Sequence, residues 1–176
     1  MGIYLGIDPG KKGGLARLDT SAPPSARLTF YQMPIVEGMW NPYKMISLVH
    51  IWSTNGVEMV IFELCHSFPG ISSRANASVM EAYGMWKGCL ATSFRVDQVR
   101  YVSSVVWKKA MNLDIPLIKA GRVATHAEKV TGYKARKDKA VAVARAEFGL
   151  PFQTPGGRVL DGEAEAALLA LYGSRL

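Results

Sequence analysis

The stretch Ile3-Tyr4-Leu5-Gly6-Ile7-Asp8-Pro9-Gly10 decides the fold. Five mostly apolar residues lead to an acid, and Pro9-Gly10 ends the run. The pattern predicts a buried strand closed by a turn, with Asp8 at its C-terminal end. Two further strand-like runs follow, Gly13 to Leu18 and Arg27 to Met33, separated by the Pro-rich Ala22-Pro23-Pro24 loop. Together they predict a three-stranded meander.

Beyond the meander, helical and strand patterns alternate. Tyr43 to Ser53 places Met45, Ile46, Val49 and Trp52 at helical spacing. Glu58 to Glu63 reads as a strand buried on both faces. Ala77 to Thr92 reads as an amphipathic helix, Asp97 to Val102 as a strand, and Ser103 to Asn112 as a helix with serines available as caps. Asp138 to Phe148 and Leu160 to Tyr172 are the last two helices. The order predicts an α/β layered domain with a mixed central sheet flanked by helices. No repeat or linker divides the chain, so residues 1–176 are expected to form one domain.

The chain carries 21 Lys and Arg against 14 Asp and Glu, a net charge of +7. That excess suggests a polyanionic partner, nucleic acid before membrane. No run of about 18 apolar residues could form a transmembrane helix. The N-terminus lacks the basic region and cleavage site of a secretory signal, and two cysteines, Cys65 and Cys89, suit a reducing cytoplasmic setting. Between Lys119 and Arg145 eight basic residues face only Glu128 and Asp138, a net +6. Gly121, Thr125, Thr131 and Gly132 are expected to break any long helix there. The segment reads either as a phosphate-tracking surface or as a solvated face. Arg74, Lys87, Lys108 and Lys109 extend the same bias.

Four acids are badly placed for a core. Asp8 and Glu63 each end an apolar strand. On a helical wheel with Asp161 at 0°, Glu165 falls near about 40°, Leu168 near about 340° and Tyr172 near about 20°. Both acids therefore share the apolar stripe, whereas Glu163 lies opposite with Ala166, Ala167 and Ala170. Like charges at i,i+4 cost a helix about 0.2–0.5 kcal/mol, and burying unpaired carboxylates costs several kcal/mol more. Positive charge must stand opposite them. Singly, each acid has an ordinary explanation: a turn for Asp8, a lysine partner for Glu63, the helix macrodipole for the others. Jointly they suggest a site for Mg²⁺ or Mn²⁺, hard cations that prefer carboxylate oxygen. Two such ions about 3.5–4 Å apart could activate water and stabilise a leaving oxygen.

These residues also resemble a known family. Leu5-Gly6-Ile7-Asp8-Pro9-Gly10 resembles the first-strand motif of RuvC-like Holliday junction resolvases, which have an RNase H-like fold. Phe62-Glu63 with His66-Ser67-Phe68-Pro69-Gly70, then Tyr83-Gly84-Met85-Trp86-Lys87-Gly88, is similar to the second acidic strand and following helix of phage-type members. Val105-Val106-Trp107-Lys108-Lys109, Lys137-Asp138-Lys139 and Asp161-Gly162-Glu163-Ala164-Glu165-Ala166-Ala167-Leu168 resemble later blocks, in order, over nearly the whole chain.

The resemblance implies a metal-dependent endonuclease that nicks four-way junctions and related branched DNA symmetrically. It implies Asp8, Glu63, Asp161 and Glu165 as the catalytic carboxylates, holding two Mg²⁺ or Mn²⁺ ions. Bacterial relatives often carry two acids three residues apart at this helix, so the four-residue spacing here keeps Glu163 as a further candidate. The segment between Trp107 and Lys137 is longer than in the family. Expected DNA contacts are Lys11, Lys12, Phe68, Arg74, Lys87, Lys108, Lys109, Lys134, Arg136, Lys137 and Lys139. Phe68 could stack on or wedge into unpaired bases. His66 is a candidate for proton transfer, and Trp107 is expected in the core. The family also implies a homodimer, which suits the near two-fold symmetry of a four-way junction. Helix Ala77–Thr92 either contributes to that interface or packs on the sheet. Two other functions compete. One is a non-catalytic branched-DNA binder. The other is a fragment of a sugar-kinase or actin-like ATPase, which needs a second phosphate-binding lobe.

Overall fold

The structure, a computed structural model, describes residues 1–65, 72–113 and 126–176. Among these residues, seven strands and five α-helices follow in chain order: β1 Ile3–Asp8, β2 Gly14–Asp19, β3 Leu28–Tyr31, β4 Ile35–Val36, β5 Met39–Trp40, α1 Pro42–Thr54, β6 Val57–Leu64, α2 Ser73–Ala91, β7 Val99–Ser103, α3 Ser104–Ala110, α4 His126–Phe148 and α5 Asp161–Gly173. The main sheet has the order β3-β2-β1-β6-β7. The meander β1-β2-β3 is antiparallel, and β6 and β7 add to β1 in parallel. The expected mixed sheet is therefore present.

Strand alternation divides the core into two layers. Leu5, Ile7, Leu15, Val60 and Phe62 point to one side, against Met45, Val49 and Trp52 of α1 and Ala82, Trp86 and Leu90 of α2. Ala16, Leu18 and Ile61 point to the other, against Trp107 of α3, Ala140, Val141 and Ala144 of α4, and α5. Helix α2 thus packs on the sheet, one of its two expected roles. Helix α1 starts where Asn41 Oδ1 accepts the Lys44 N–H at 3.0 Å and Pro42 opens the first turn.

Two expectations need correction. Thr131 and Gly132 do not interrupt a helix, because both lie inside α4. A helical glycine costs about 1 kcal/mol relative to alanine, and α4 recovers this by burying Ala140, Val141, Ala144 and Phe148 in the core. The single apolar stripe assigned to α5 is also too narrow. Ala166, Ala167 and Ala170 are fully buried as well, because α5 lies between the sheet and α4. The β4–β5 hairpin is an addition. Its turn places Glu37 at φ 51° and Gly38 at φ 76°, the left-handed pair that two-residue hairpin loops need.

The close fit of α5 on the sheet depends on glycine. A Cβ on Gly6 would run into the Ala166 carbonyl and the Ala170 backbone nitrogen. One on Gly162 would meet the carbonyls of Lys12 and Gly13. The first turn of α5 therefore rests directly on the β1–β2 turn, next to Asp8.

Candidate metal-binding active site

Alternation along β1 puts Asp8 on the same face as Tyr4 and Gly6, toward α5. Along β6 it puts Glu63 on the face of Met59 and Ile61, again toward α5. Since β1 and β6 are parallel neighbours, with Ile7 paired to Phe62, the two acids emerge side by side at one end of the sheet. Helix α5 brings the other two. Glu165 points inward, with only 4% of its side chain exposed, while Asp161 stands at the rim at 41%. Glu163, in the same first turn, is half-buried.

Two lysines meet this acidic group. Lys137 Nζ of α4 lies 2.5 Å from Glu165 Oε2 and 3.3 Å from Asp161 Oδ2. Lys108 Nζ of α3 lies 2.9 Å from Glu165 Oε1. The positive charge that the core-facing acids required is thus supplied from two other helices. Trp107 Nε1 donates to Glu63 Oε2 at 3.0 Å, and the Gly10 N–H makes a long 3.4 Å contact with Asp8 Oδ1.

The lysines do not neutralise the whole cluster. Burial, reinforced by the charge of Glu165, pushes the Asp8 carboxyl up to about 6, although Lys137, the Gly10 N–H and Lys108 oppose the shift. Burial pushes Glu63 up to about 7; Lys108 opposes it, and the charges of Asp8 and Glu165 add to it. For Lys137, burial works against the ammonium, yet Glu165 and Asp8 outweigh it and hold its pKa above the ordinary lysine value. The Cys65 thiol is driven to about 12 by burial and by the charges of Asp8 and Glu63, and so stays protonated.

This donor set suits a hard divalent cation. All four acids offer oxygen, and the raised proton affinity of Asp8 and Glu63, set first by burial and then by their acidic neighbours, marks carboxylates whose charged form a cation would stabilise. Among the described residues, no three acidic, thiol or imidazole groups stand close enough together to hold a metal ion without rearrangement. The Lys137 ammonium lies between Asp161 and Glu165 and supplies part of the compensation.

The expected DNA contacts fall into three groups. Lys108 and Lys137 are drawn into the acidic cluster. Lys12, Arg74, Lys87, Lys109 and Lys134 are exposed, and Lys11 Nζ reaches the Gly38 carbonyl at 2.6 Å. Lys87 holds its ammonium over Tyr83 and Tyr101, and Lys134 pairs with Asp138 at 2.7 Å. Arg136 and Lys139 are half-buried on α4. The third, Phe68, lies outside the described residues, as does His66, the candidate for proton transfer. Trp107 is in the core as expected, but its bond to Glu63 has no counterpart in the sequence reading.

The architecture is the RNase H-like α/β fold found in RuvC. A structure described as T. thermophilus RuvC in complex with Holliday junction substrate matches with a TM-score of 0.63 and 17% identity, over 99% of this chain and 93% of that one. A second, a Thermus thermophilus RuvC structure, matches at 0.58 and 16%, over 98% and 95%. No protein-family model matches the sequence, and no curated protein matches it.

Proposed function

We propose that this chain is a divalent-metal-dependent endonuclease that resolves four-way junctions and related branched DNA by symmetric nicking. The observation that carries the reading is the meeting of Asp8, Glu63 and Glu165, from β1, β6 and α5, at one end of the sheet. The fold adds support, since one structure sharing it holds a Holliday junction substrate.

Asp8, Glu63, Asp161 and Glu165 would hold Mg²⁺ or Mn²⁺. When bound, such ions activate water and neutralise charge on a phosphodiester and its leaving oxygen. Lys108 and Lys137 pair with the Glu165 carboxylate and orient it. Without a cation the carboxylates repel a phosphate backbone, so cutting is tied to metal loading. Exposed lysines outside the cluster, Lys12 and Lys109 among them, suit phosphate contacts that position DNA without reading its sequence. A homodimer would present two such sites to the two symmetric strands of a junction.

The test is incubation with a four-way junction, a flap, a linear duplex and an RNA–DNA hybrid, each with Mg²⁺ or Mn²⁺. The expected result is paired symmetric nicks in the junction. Asp8→Asn should retain junction binding while cleavage falls by about three orders of magnitude, the several kcal/mol that metal catalysis supplies. Undiminished cleavage by that variant overturns the proposed site. Junction binding without cleavage in either metal would instead make the chain a non-catalytic binder.

A further inference from the structure

We infer that Trp107 is a positioning residue for the proposed metal centre, aiming the Glu63 carboxylate through its indole N–H and steadying Lys108 through its ring face. The inference rests on the metal-dependent reading above and adds a residue to it.

The placement follows from strand register. Strand β7 runs parallel to β6, with Glu63 opposite Val102 and Leu64 opposite Ser103. Helix α3 begins at the next residue, so its first turn starts level with the end of β6. Trp107 then lies inward, fully buried, with its N–H 3.0 Å from Glu63 Oε2. Lys108 places its ammonium 5.1 Å from the centroid of that ring and 2.9 Å from Glu165 Oε1. One indole thus touches the acid of β6 and the lysine that holds the acid of α5.

The chain contains three other tryptophans, and they provide an internal comparison. Trp40, Trp52 and Trp86 are also buried, yet their indole N–H groups have no hydrogen-bond partner among the described residues. Those three fill volume. Trp107 alone of the four sends its N–H to a carboxylate, a charge-assisted bond. The bond engages Oε2 of Glu63 and leaves Oε1 for a cation. Hydrogen bonds of this kind to metal-binding carboxylates typically govern affinity by about 10–100-fold.

The test replaces the Trp107 indole with benzothiophene, through 3-benzothienylalanine. This keeps the shape and exchanges the N–H for sulfur. Mn²⁺ binding is followed by electron paramagnetic resonance on the DNA-free protein, and melting is recorded in EDTA. The expected result is about tenfold weaker Mn²⁺ binding at an unchanged melting temperature; a purely structural tryptophan would not give that combination. Equal Mn²⁺ affinity in parent and isostere overturns the proposal alone. A parent that binds no Mn²⁺ overturns the metal reading, and the proposal with it. A second measurement needs no variant. In the parent protein, Mg²⁺ should move the indole N–H resonance of Trp107 and leave those of Trp40, Trp52 and Trp86 in place. An unmoved Trp107 resonance in protein that binds Mg²⁺ by calorimetry also overturns the proposal.

Discussion

Asp8 and Glu63 hold protons more tightly in the folded chain than their ordinary values of 3.8 and 4.5 allow, at about 6 and about 7. The folded state therefore binds more protons than the unfolded state across that window. Stability falls as pH rises wherever this holds. These two groups thus destabilise the metal-free chain progressively from about pH 4 to about pH 7. Asp8→Asn removes one of them. In EDTA at pH 7.5 the variant should be more stable than the parent by about 1 kcal/mol, or roughly 2–4 °C in melting temperature for a chain of this size. The advantage should shrink as pH falls and vanish only below about pH 3.8, where the Asp8 carboxyl is protonated in both the folded and the unfolded chain. Thermal melts at the two pH values check this, and a pH-independent difference would contradict the electrostatic account. At this scale the sequence was partly legible. Core-facing acids are visible on a helical wheel because the expense of burying charge is general. Their partners are not, because Lys108, Lys137 and Trp107 reach them from elements whose relative placement no local pattern encodes.

At the scale of elements, the contact between α5 and β1 decides whether the acids meet. Gly6 allows it, since any side chain there meets the backbone of Ala166 and Ala170. Gly6→Ala should therefore cost about 3 kcal/mol, at the upper end of the overpacking range. It should also displace Asp161 and Glu165 from Asp8, so that divalent binding weakens along with stability. Denaturant unfolding and metal titration measure the two effects. Full stability in the variant would mean that α5 is not held as described. Most elements could be read from periodicity, since amphipathic helices and apolar strands record which face is buried. The β4–β5 hairpin could not, because two-residue strands have no period and Glu37-Gly38 is a weak turn signal. The early start of α4 was hidden for the opposite reason: Thr131 and Gly132 oppose a helix locally, and core burial further along overrides them.

At the scale of the molecule, the charge of +7 is unevenly used. Acids and two lysines are gathered at one end of the sheet, while most of the other lysines remain outside it. Affinity for a junction should accordingly fall with salt, and each outer lysine that meets a phosphate should contribute about one unit to the slope of log affinity against log salt. Lys109→Gln and Lys12→Gln should each lower that slope by about one without changing the cleavage position on a junction. Binding measured at several salt concentrations provides the check, and slopes equal to the parent's would remove these residues from the DNA surface. The order of strands was not legible in the sequence. It depends on which edge of the meander β6 joins, a choice made by the crossover through α1 and by the burial of both sheet faces.

The lysine pairs have a consequence for how the protein comes into being. Many small metalloproteins cannot close their fold until the ion arrives. Here the ammonium groups of Lys108 and Lys137 stand against Glu165 from within the chain. A nascent polypeptide carries its own counterions and can seat α5 while free divalent ions are scarce. On the proposed reading, maturation would then be separate from arming: the molecule would be assembled first and would cut only after later metal loading.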